Sequence, residues 1–312
     1  MKLVEVAGIR VSAIGLGTWQ FGSGDWGYGL EYARVTAPAI VRRALELGVN
    51  LIDTAEAYGG GASELIIGSA LRDAPRDPFV ATKFTPVLPI QSVILDHAER
   101  SRRRLQVSAI DLYQIHWTNP LVPPSIQAAG LRRVLDRGIA RHVGVSNHSL
   151  GRWQAMELAL GRPVLSNQVE LNLARPGALR ALVPYAQAHD RLVIAYSPLG
   201  QGILAGSQRP HRNAARLLRR ALGAPGHGRA APLRVVLREI ASDHGATMAQ
   251  VALAWLIGHP NVVAIPGART IEQLESNVAA ASLELGAAER TRLSEASAAF
   301  AGERRPDASG RG

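Results

Sequence analysis

Three short apolar runs in the first 116 residues each end in an ionisable side chain. Asn50-Leu51-Ile52-Asp53 ends in a carboxylate, Phe79-Val80-Ala81-Thr82-Lys83 in an ammonium, and Ile110-Asp111-Leu112-Tyr113-Gln114-Ile115-His116 in an imidazole. Tyr58 follows in the loop after the first of them. Together these four groups can protonate an oxygen. A tyrosine titrates near ~10, too high to yield its proton readily at neutral pH. A neighbouring ammonium favours the tyrosinate and lowers that value, so Lys83 is the expected partner of Tyr58. A buried lysine is costly unless paired, and Asp53 is the expected pair. A neutral His116 can hydrogen-bond a carbonyl oxygen beside the tyrosine hydroxyl. Tyr58 then serves as general acid, protonating that oxygen as hydride reaches the carbon. The hydride has to come from a cofactor. No metal site is expected, because His116 has no second histidine at ligand spacing and the chain has no cysteine.

Lysine usage sharpens this reading. Of the 35 Lys and Arg residues only Lys2 and Lys83 are lysines. A guanidinium cannot serve as a small, tunable point charge, so a chain that otherwise uses arginine keeps an ammonium where one is needed. Chance is the alternative, and Lys2 shows that a lysine can fall elsewhere.

These groups need a scaffold that brings them to one rim. β-rich runs occur eight times, the others at residues 13–17, 140–145, 166–171, 192–196 and 262–265. Each is short and largely apolar throughout, as strands buried on both faces are. Helical patterns alternate with them at residues 36–47, from 63 onward, 92–105, 124–137, 149–160, 177–188 and 247–257, then at 271–281 and 287–299. Several stop at a glycine, as at Gly48, Gly138 and Gly161. Such alternation implies parallel strands joined by right-handed crossovers, and eight repeats favour closure into a (β/α)8 TIM barrel. An open doubly wound sheet is the alternative. Its Gly-x-Gly-x-x-Gly turn is missing, since Gly15-Leu16-Gly17-Thr18-Trp19 has no third glycine in register. Residues 2–11 read as an N-terminal β-hairpin, with Val4 and Val6 facing Ile9 and Val11 across Ala7-Gly8. Residues 1–300 are expected to form a single barrel domain and 301–312 a flexible polar tail. In such barrels the C-terminal strand ends carry the active site. Ser146, Asn147, Gln168, Asn172, Tyr196, Ser197 and Arg269 fall there too.

The pattern resembles the aldo/keto reductase superfamily, in particular members with a short C-terminus, from about Val4 to Leu293. The matching segments are Asp53-Thr54-Ala55-Glu56-Ala57-Tyr58-Gly59, Gly61-Ala62-Ser63-Glu64 with Ile67-Gly68, Ala81-Thr82-Lys83, and Asp111 through Trp117. Gly144-Val145-Ser146-Asn147, Tyr196-Ser197-Pro198-Leu199 with Gln201-Gly202, and Ile265-Pro266-Gly267-Ala268-Arg269 complete the set. The order and spacing are specific where no single piece would be. The resemblance implies a catalytic tetrad of Asp53, Tyr58, Lys83 and His116, and NADPH bound extended without a Rossmann fold. It implies nicotinamide stacked on Tyr196 and a carboxamide held by Ser146, Asn147 and Gln168. Leu199, Gln201 and Gly202 would line the pyrophosphate, and Gly267, Arg269, Gln273 and Asn277 the adenosine end. Gly17, Thr18, Trp19, Asp53, Ser197, Pro198 and Ile265 complete the implied cofactor surface. The implied substrate is a small carbonyl compound. Trp19, Tyr58, Phe84, His116 and Trp117 are expected to line its pocket, with Trp26 and Tyr28 as further aromatic candidates; packing is the equal alternative for Trp19, Trp26, Tyr28, Phe84 and Trp117. Three departures stand out. Thr118-Asn119-Pro120 replaces the usual Pro-Asp-Pro and Gly130 interrupts a usually unbroken helix, and both are expected to reshape the substrate rim. Ala268 stands where many members carry a hydroxyl near the 2′-phosphate.

Composition limits the alternatives. The absence of cysteine excludes disulfides, thiolate zinc sites and a Cys nucleophile. No run reaches the ~18 uncharged apolar residues of a membrane helix. Glu5 and Arg10 break up the N-terminus as a signal peptide, so a cytoplasmic location with no membrane partner is expected. The net charge of +10 invites a nucleic-acid reading. The arginines are spread over most helices, where solvated faces explain them, and no nucleic-acid partner is expected. One stretch differs. Residues 205–231 hold Arg209, Arg212, Arg216, Arg219, Arg220 and Arg229 and no Asp or Glu. It follows the seventh strand, near where barrels commonly hold phosphate, and is expected either to be a solvated, partly helical insertion tacked to the barrel by Leu217, Leu218 and Leu222 or to fold over NADPH. A non-enzymatic reading also exists, because ion-channel β subunits share this fold and tetrad and work largely by binding a partner.

Overall fold

Ala7-Gly8 reverses the chain with positive φ at both residues, 49° and 76°, the twist that suits a two-residue hairpin. It joins β1 (Leu3–Val6) to β2 (Ile9–Ser12), with Val4 opposite Val11 and Val6 opposite Ile9. The computed structural model describes residues 1–22, 31–72, 78–205 and 230–302. Trp26, Tyr28, the six arginines and the leucines of the basic stretch and residues 303–312 lie outside the described residues.

Eight parallel strands follow: β3 (Leu16–Gly17), β4 (Leu51–Asp53), β5 (Phe79–Phe84), β6 (Ile110–Ile115), β7 (Ala140–Ser146), β8 (Ser166–Glu170), β9 (Leu192–Tyr196) and β10 (Val262–Ala264). Each pairs with the next in chain order. The Gly15 amide donates to the Ala264 carbonyl at 2.8 Å, the Ala264 amide to Ala13 at 2.9 Å and the Gly17 amide to Pro266 at 3.1 Å. The last strand therefore returns to the first, and the barrel is closed, as the alternation of elements predicts.

Two apolar layers explain why its strands read as continuous hydrophobic runs. Leu51, Ala81, Leu112, Leu192, Ile194 and Val263 fill the interior, plugged from below by Val6 and Val11 of the hairpin. Ile52, Val80, Ile115, Val143 and Val193 belong to the larger sleeve between strands and helices. Strand side chains alternate between faces. Leu51 inward therefore puts Asp53 inward, Ala81 puts Lys83 inward, and Ile194 puts Tyr196 inward.

The helices depart from the sequence pattern in instructive places. The span 177–188 splits into a short 3-10 turn, Gly177–Arg180, and α6 (Leu182–Ala188). Pro184 has no amide hydrogen and clashes with a carbonyl four residues back, so it is tolerated only in a first turn. A helix absent from the sequence reading, α7 (Ala231–Asp243), occupies the crossover from β9 to β10 and buries Leu233, Leu237, Ile240 and Ala241. Gly130 does not interrupt its helix. It lies buried inside the continuous α4 (Pro124–Asp136), where a Cβ would stand 2.6 Å from Ile94 Cδ1 of α3 (Gln91–Leu105). It lets two helices approach and does not shape the rim.

Candidate active site

Lys83 reaches its position as the last inward side chain of β5 and is fully buried. Its Nζ donates to Asp53 Oδ1 at 2.6 Å, to the Thr54 carbonyl at 2.8 Å and to Tyr58 Oη at 3.2 Å. All three ammonium protons thus have an acceptor. Gln168 Nε2 donates to the other Asp53 oxygen at 2.7 Å, so both carboxylate oxygens are engaged. Burial disfavours the Lys83 ammonium, but the charges and hydrogen bonds of Asp53 and Tyr58 outweigh it and hold its pKa above the ordinary amine value.

The expected lowering of the Tyr58 pKa does not occur. Burial pushes it above the ordinary phenol value; the Lys83 charge pulls it down and the Asp53 charge pushes it up. The ammonium is largely matched by a carboxylate 2.6 Å away. Tyr58 therefore faces a nearly neutral pair while losing the water that would solvate its anion.

His116 follows β6 and sets its ring 5.8 Å from that of Tyr58, edge on. Trp117 stacks on it at 3.7 Å with ring planes 7° apart, and the buried Nδ1 has no hydrogen-bond partner among the described residues. Burial first, then the Lys83 charge, lowers its pKa from 6.5 to about 3, so the ring is neutral at physiological pH. Because the folded value is depressed, this site is silent above about pH 6.5 and costs stability as pH falls from there towards 3, where only the unfolded chain takes the proton. The variant His116→Asn should therefore lose less thermal stability between pH 7 and pH 4 than the wild type. Parallel melting curves for the two would remove His116 as the cause.

Of the residues expected around a cofactor, those on and just past β7, β8 and β9 form one network. Ser146 Oγ donates to the Gln168 carbonyl at 2.8 Å, Asn147 Nδ2 to the His116 carbonyl at 3.2 Å, and Tyr196 Oη to Asn147 Oδ1 at 2.9 Å. Past β9 the chain takes left-handed backbone at Ser197, Gln201 and Gly202, with φ of 48°, 55° and 94°; Pro198 is buried and Leu199 half-buried. After β10, Gly267, Arg269 and Gln273 are exposed. The Arg269 amide donates to Gln273 Oε1 at 2.9 Å, and Asn277 Nδ2 reaches the Gly267 carbonyl at 3.5 Å.

Others on that implied surface are turned to the barrel itself. The Thr18 hydroxyl is fully buried against the Asp53 carbonyl and Ser63 Oγ, both at 2.8 Å. Gly17 lies in the closing seam, where a Cβ would stand 2.6 Å from the Ile265 carbonyl, and Ile265 belongs to the interior layer. Ala268 is buried; its carbonyl accepts from Gln20 Nε2 at 2.8 Å.

On the substrate side, Trp19 and Trp117 are about half exposed. Phe84 is not in the pocket. Lys83 points inward, so Phe84 points out of the barrel, fully buried edge-on against His97 of α3 at 5.2 Å. Asn119 gives the Thr118-Asn119-Pro120 departure a role: its Nδ2 donates to the Pro86 carbonyl at 2.9 Å and its Oδ1 accepts from the Leu121 amide at 2.9 Å. It fastens the loop after β6 to the loop after β5. The reading of the sequence also missed Glu56 and His97, and it gave Gln114, whose Oε1 accepts from Ser166 Oγ inside the barrel at 3.1 Å, no role.

The aldo/keto reductase family model matches residues 13–298. An uncharacterized oxidoreductase of Mycobacterium tuberculosis is 52% identical over 100% of this chain and 96% of its own length. The methylglyoxal reductase YeaE of Escherichia coli is 34% identical over 95% of this chain and 94% of its own. A crystal structure of an aldo/keto reductase from Klebsiella pneumoniae in complex with NADP and acetate is 30% identical, covers 94% of each chain and superimposes with a TM-score of 0.78. With this barrel and these strand ends, the chain belongs to the aldo/keto reductase family.

Proposed function

We propose that this chain reduces an aldehyde or ketone to the alcohol with NADPH, and that Tyr58 is the general acid. The observation that carries the reading is the placement of the Lys83 ammonium 3.2 Å from Tyr58 Oη and 2.6 Å from Asp53 Oδ1, beside a neutral imidazole. The donor set suits a nicotinamide dinucleotide. Ser146, Asn147 and Gln168 offer a hydroxyl and two amides to a carboxamide. The inward, half-buried Tyr196 ring offers a face, held by Asn147. Bound NADPH supplies the hydride for the carbonyl carbon. Tyr58 Oη gives its proton to the carbonyl oxygen, and Lys83 stabilises the tyrosinate left behind. Asp53 keeps Lys83 charged and oriented. The neutral His116, stacked on Trp117, sits where it can hydrogen-bond the same oxygen. The test is oxidation of NADPH by the purified protein against a panel of aldehydes, ketones and sugars. No turnover with any of them would overturn the reading.

Arg269 is assigned to the 2′-phosphate, which NADH lacks. A charge-assisted pair of this kind contributes ~1.5–3 kcal/mol, about 10- to 150-fold in Kd. Arg269→Gln is therefore expected to weaken NADPH binding by that factor and leave NADH nearly unchanged. Fluorescence titration with both cofactors decides it, and equal loss for the two would remove the assignment.

A further inference from the structure

Glu56 lies in the loop between Asp53 and Tyr58, and the tetrad gives it no role. Its backbone and side chain nonetheless hold that loop to the strand that carries Lys83. The Thr54 amide donates to the Ala81 carbonyl at 2.8 Å and the Glu56 amide to the Lys83 carbonyl at 3.3 Å. Beyond the end of the strand the side chain continues the pairing, because Glu56 Oε1 accepts from the Thr85 amide at 2.7 Å. Its other oxygen meets His97 Nδ1 at 2.8 Å. The His97 ring is itself seated edge-on against Phe84, the residue after Lys83. The Glu56 side chain is only 10% exposed, so water competes little for these bonds. Tyr58 stands two residues further on and closes a turn through its amide to the Ala55 carbonyl at 3.1 Å. The loop with the acid is thus fastened to β5 on one side and to α3 on the other.

We propose that Glu56, held by His97, is the positioning residue that sets the distance between Tyr58 and Lys83. This rests on the reading of Tyr58 as the acid. The Lys83 Nζ to Tyr58 Oη contact is the longest of the three the ammonium makes. Lys83 is fixed by its buried strand and by Asp53, so any slack in the arrangement falls on the Tyr58 loop. Glu56 touches neither substrate nor cofactor in this account and acts through the loop alone.

The experiment compares Glu56→Ala with Glu56→Gln, and His97→Leu with His97→Asn, in the full chain. The conservative member of each pair keeps the bonds. A Gln amide oxygen can accept from Thr85 while its nitrogen donates to an unprotonated Nδ1, and an Asn amide nitrogen sits close to where Nδ1 was. Misplacing a reacting group by ~1 Å can cost ~10²-fold, so Glu56→Ala is expected to lower kcat by about 10- to 100-fold per folded molecule. KM for NADPH should stay within roughly twofold, because no binding group is lost. His97→Leu should lower kcat less, because the Thr85 bond survives. Glu56→Gln and His97→Asn should recover most of the rate. If wild type is active and Tyr58→Phe is not, yet Glu56→Ala keeps its kcat once the unfolded fraction is subtracted, the proposal is overturned. It is also overturned if Glu56→Gln is as slow as Glu56→Ala. An active Tyr58→Phe would instead overturn the assignment on which the proposal rests.

Discussion

Tyr58→Phe should lose carbonyl reduction by ~10²–10⁴-fold, the usual contribution of a positioned general acid, and should bind NADPH almost as wild type does. Only Oη is removed. The ring that packs edge-on against His116 remains, and Lys83 keeps its 2.6 Å and 2.8 Å acceptors on Asp53 and Thr54. The fold should therefore tolerate the change at a cost of ~1–3 kcal/mol, because one proton of the buried ammonium loses its acceptor. The wild-type pH profile supplies a second reading of the same group. Reduction needs the protonated phenol, and burial raises the Tyr58 pKa above its ordinary 10. The acid is therefore in its working form across the neutral range, and kcat for reduction should stay level up to that pH. Steady-state turnover with cofactor titration measures both. A Tyr58→Phe variant that keeps more than a tenth of the wild-type rate would falsify the assignment.

What the sequence made visible was the interior of the barrel near its mouth. Asp53, Lys83 and His116 stand out because an apolar run that ends in an ionisable group is unusual, and a short buried strand can turn its last residue only inward or outward. The same period of two places Phe84 outside, because its neighbour Lys83 points inward. α7 was overlooked although Leu233, Leu237 and Ile240 keep helical spacing behind Pro232. The pKa of Tyr58 could not be read from a list of neighbours. It depends on how much of the Lys83 charge Asp53 cancels and how much water burial removes. The bond from Glu56 to His97 spans 41 residues and joins a loop to a helix, a proximity that only the closed barrel creates. Nor did the sequence distinguish Thr18, whose hydroxyl braces the barrel, from Ser146, whose hydroxyl faces the Gln168–Asn147 network.

Lys83→Met should be among the most damaging single changes in the chain, in stability as well as rate. It leaves Asp53, 2% exposed, without its cation. Breaking a buried pair in this way costs ~3–5 kcal/mol, which for a domain of this size lowers Tm by roughly 10 °C. Gln168 still donates to one Asp53 oxygen, so the lower end of that range is expected. Adding Asp53→Asn should recover much of the stability, since removing both charges is close to neutral, and should recover none of the turnover. Lys83→Arg separates charge from shape. Three oxygens surround one nitrogen at 2.6, 2.8 and 3.2 Å, an arrangement that an ammonium with three donors satisfies and a planar fork does not. The side chain is fully buried, so the larger guanidinium must displace Tyr58, Asp53 or both. With a displacement near 1 Å, kcat should fall by ~10²-fold or more even though the positive charge is kept, bringing Lys83→Arg close to Lys83→Met in rate and nearer to wild type in Tm. Thermal melting and turnover on the same preparations distinguish these outcomes. An arginine variant with normal turnover and an unchanged pH profile would mean that charge alone matters at this position, and that the solitary internal lysine of an arginine-rich chain is an accident.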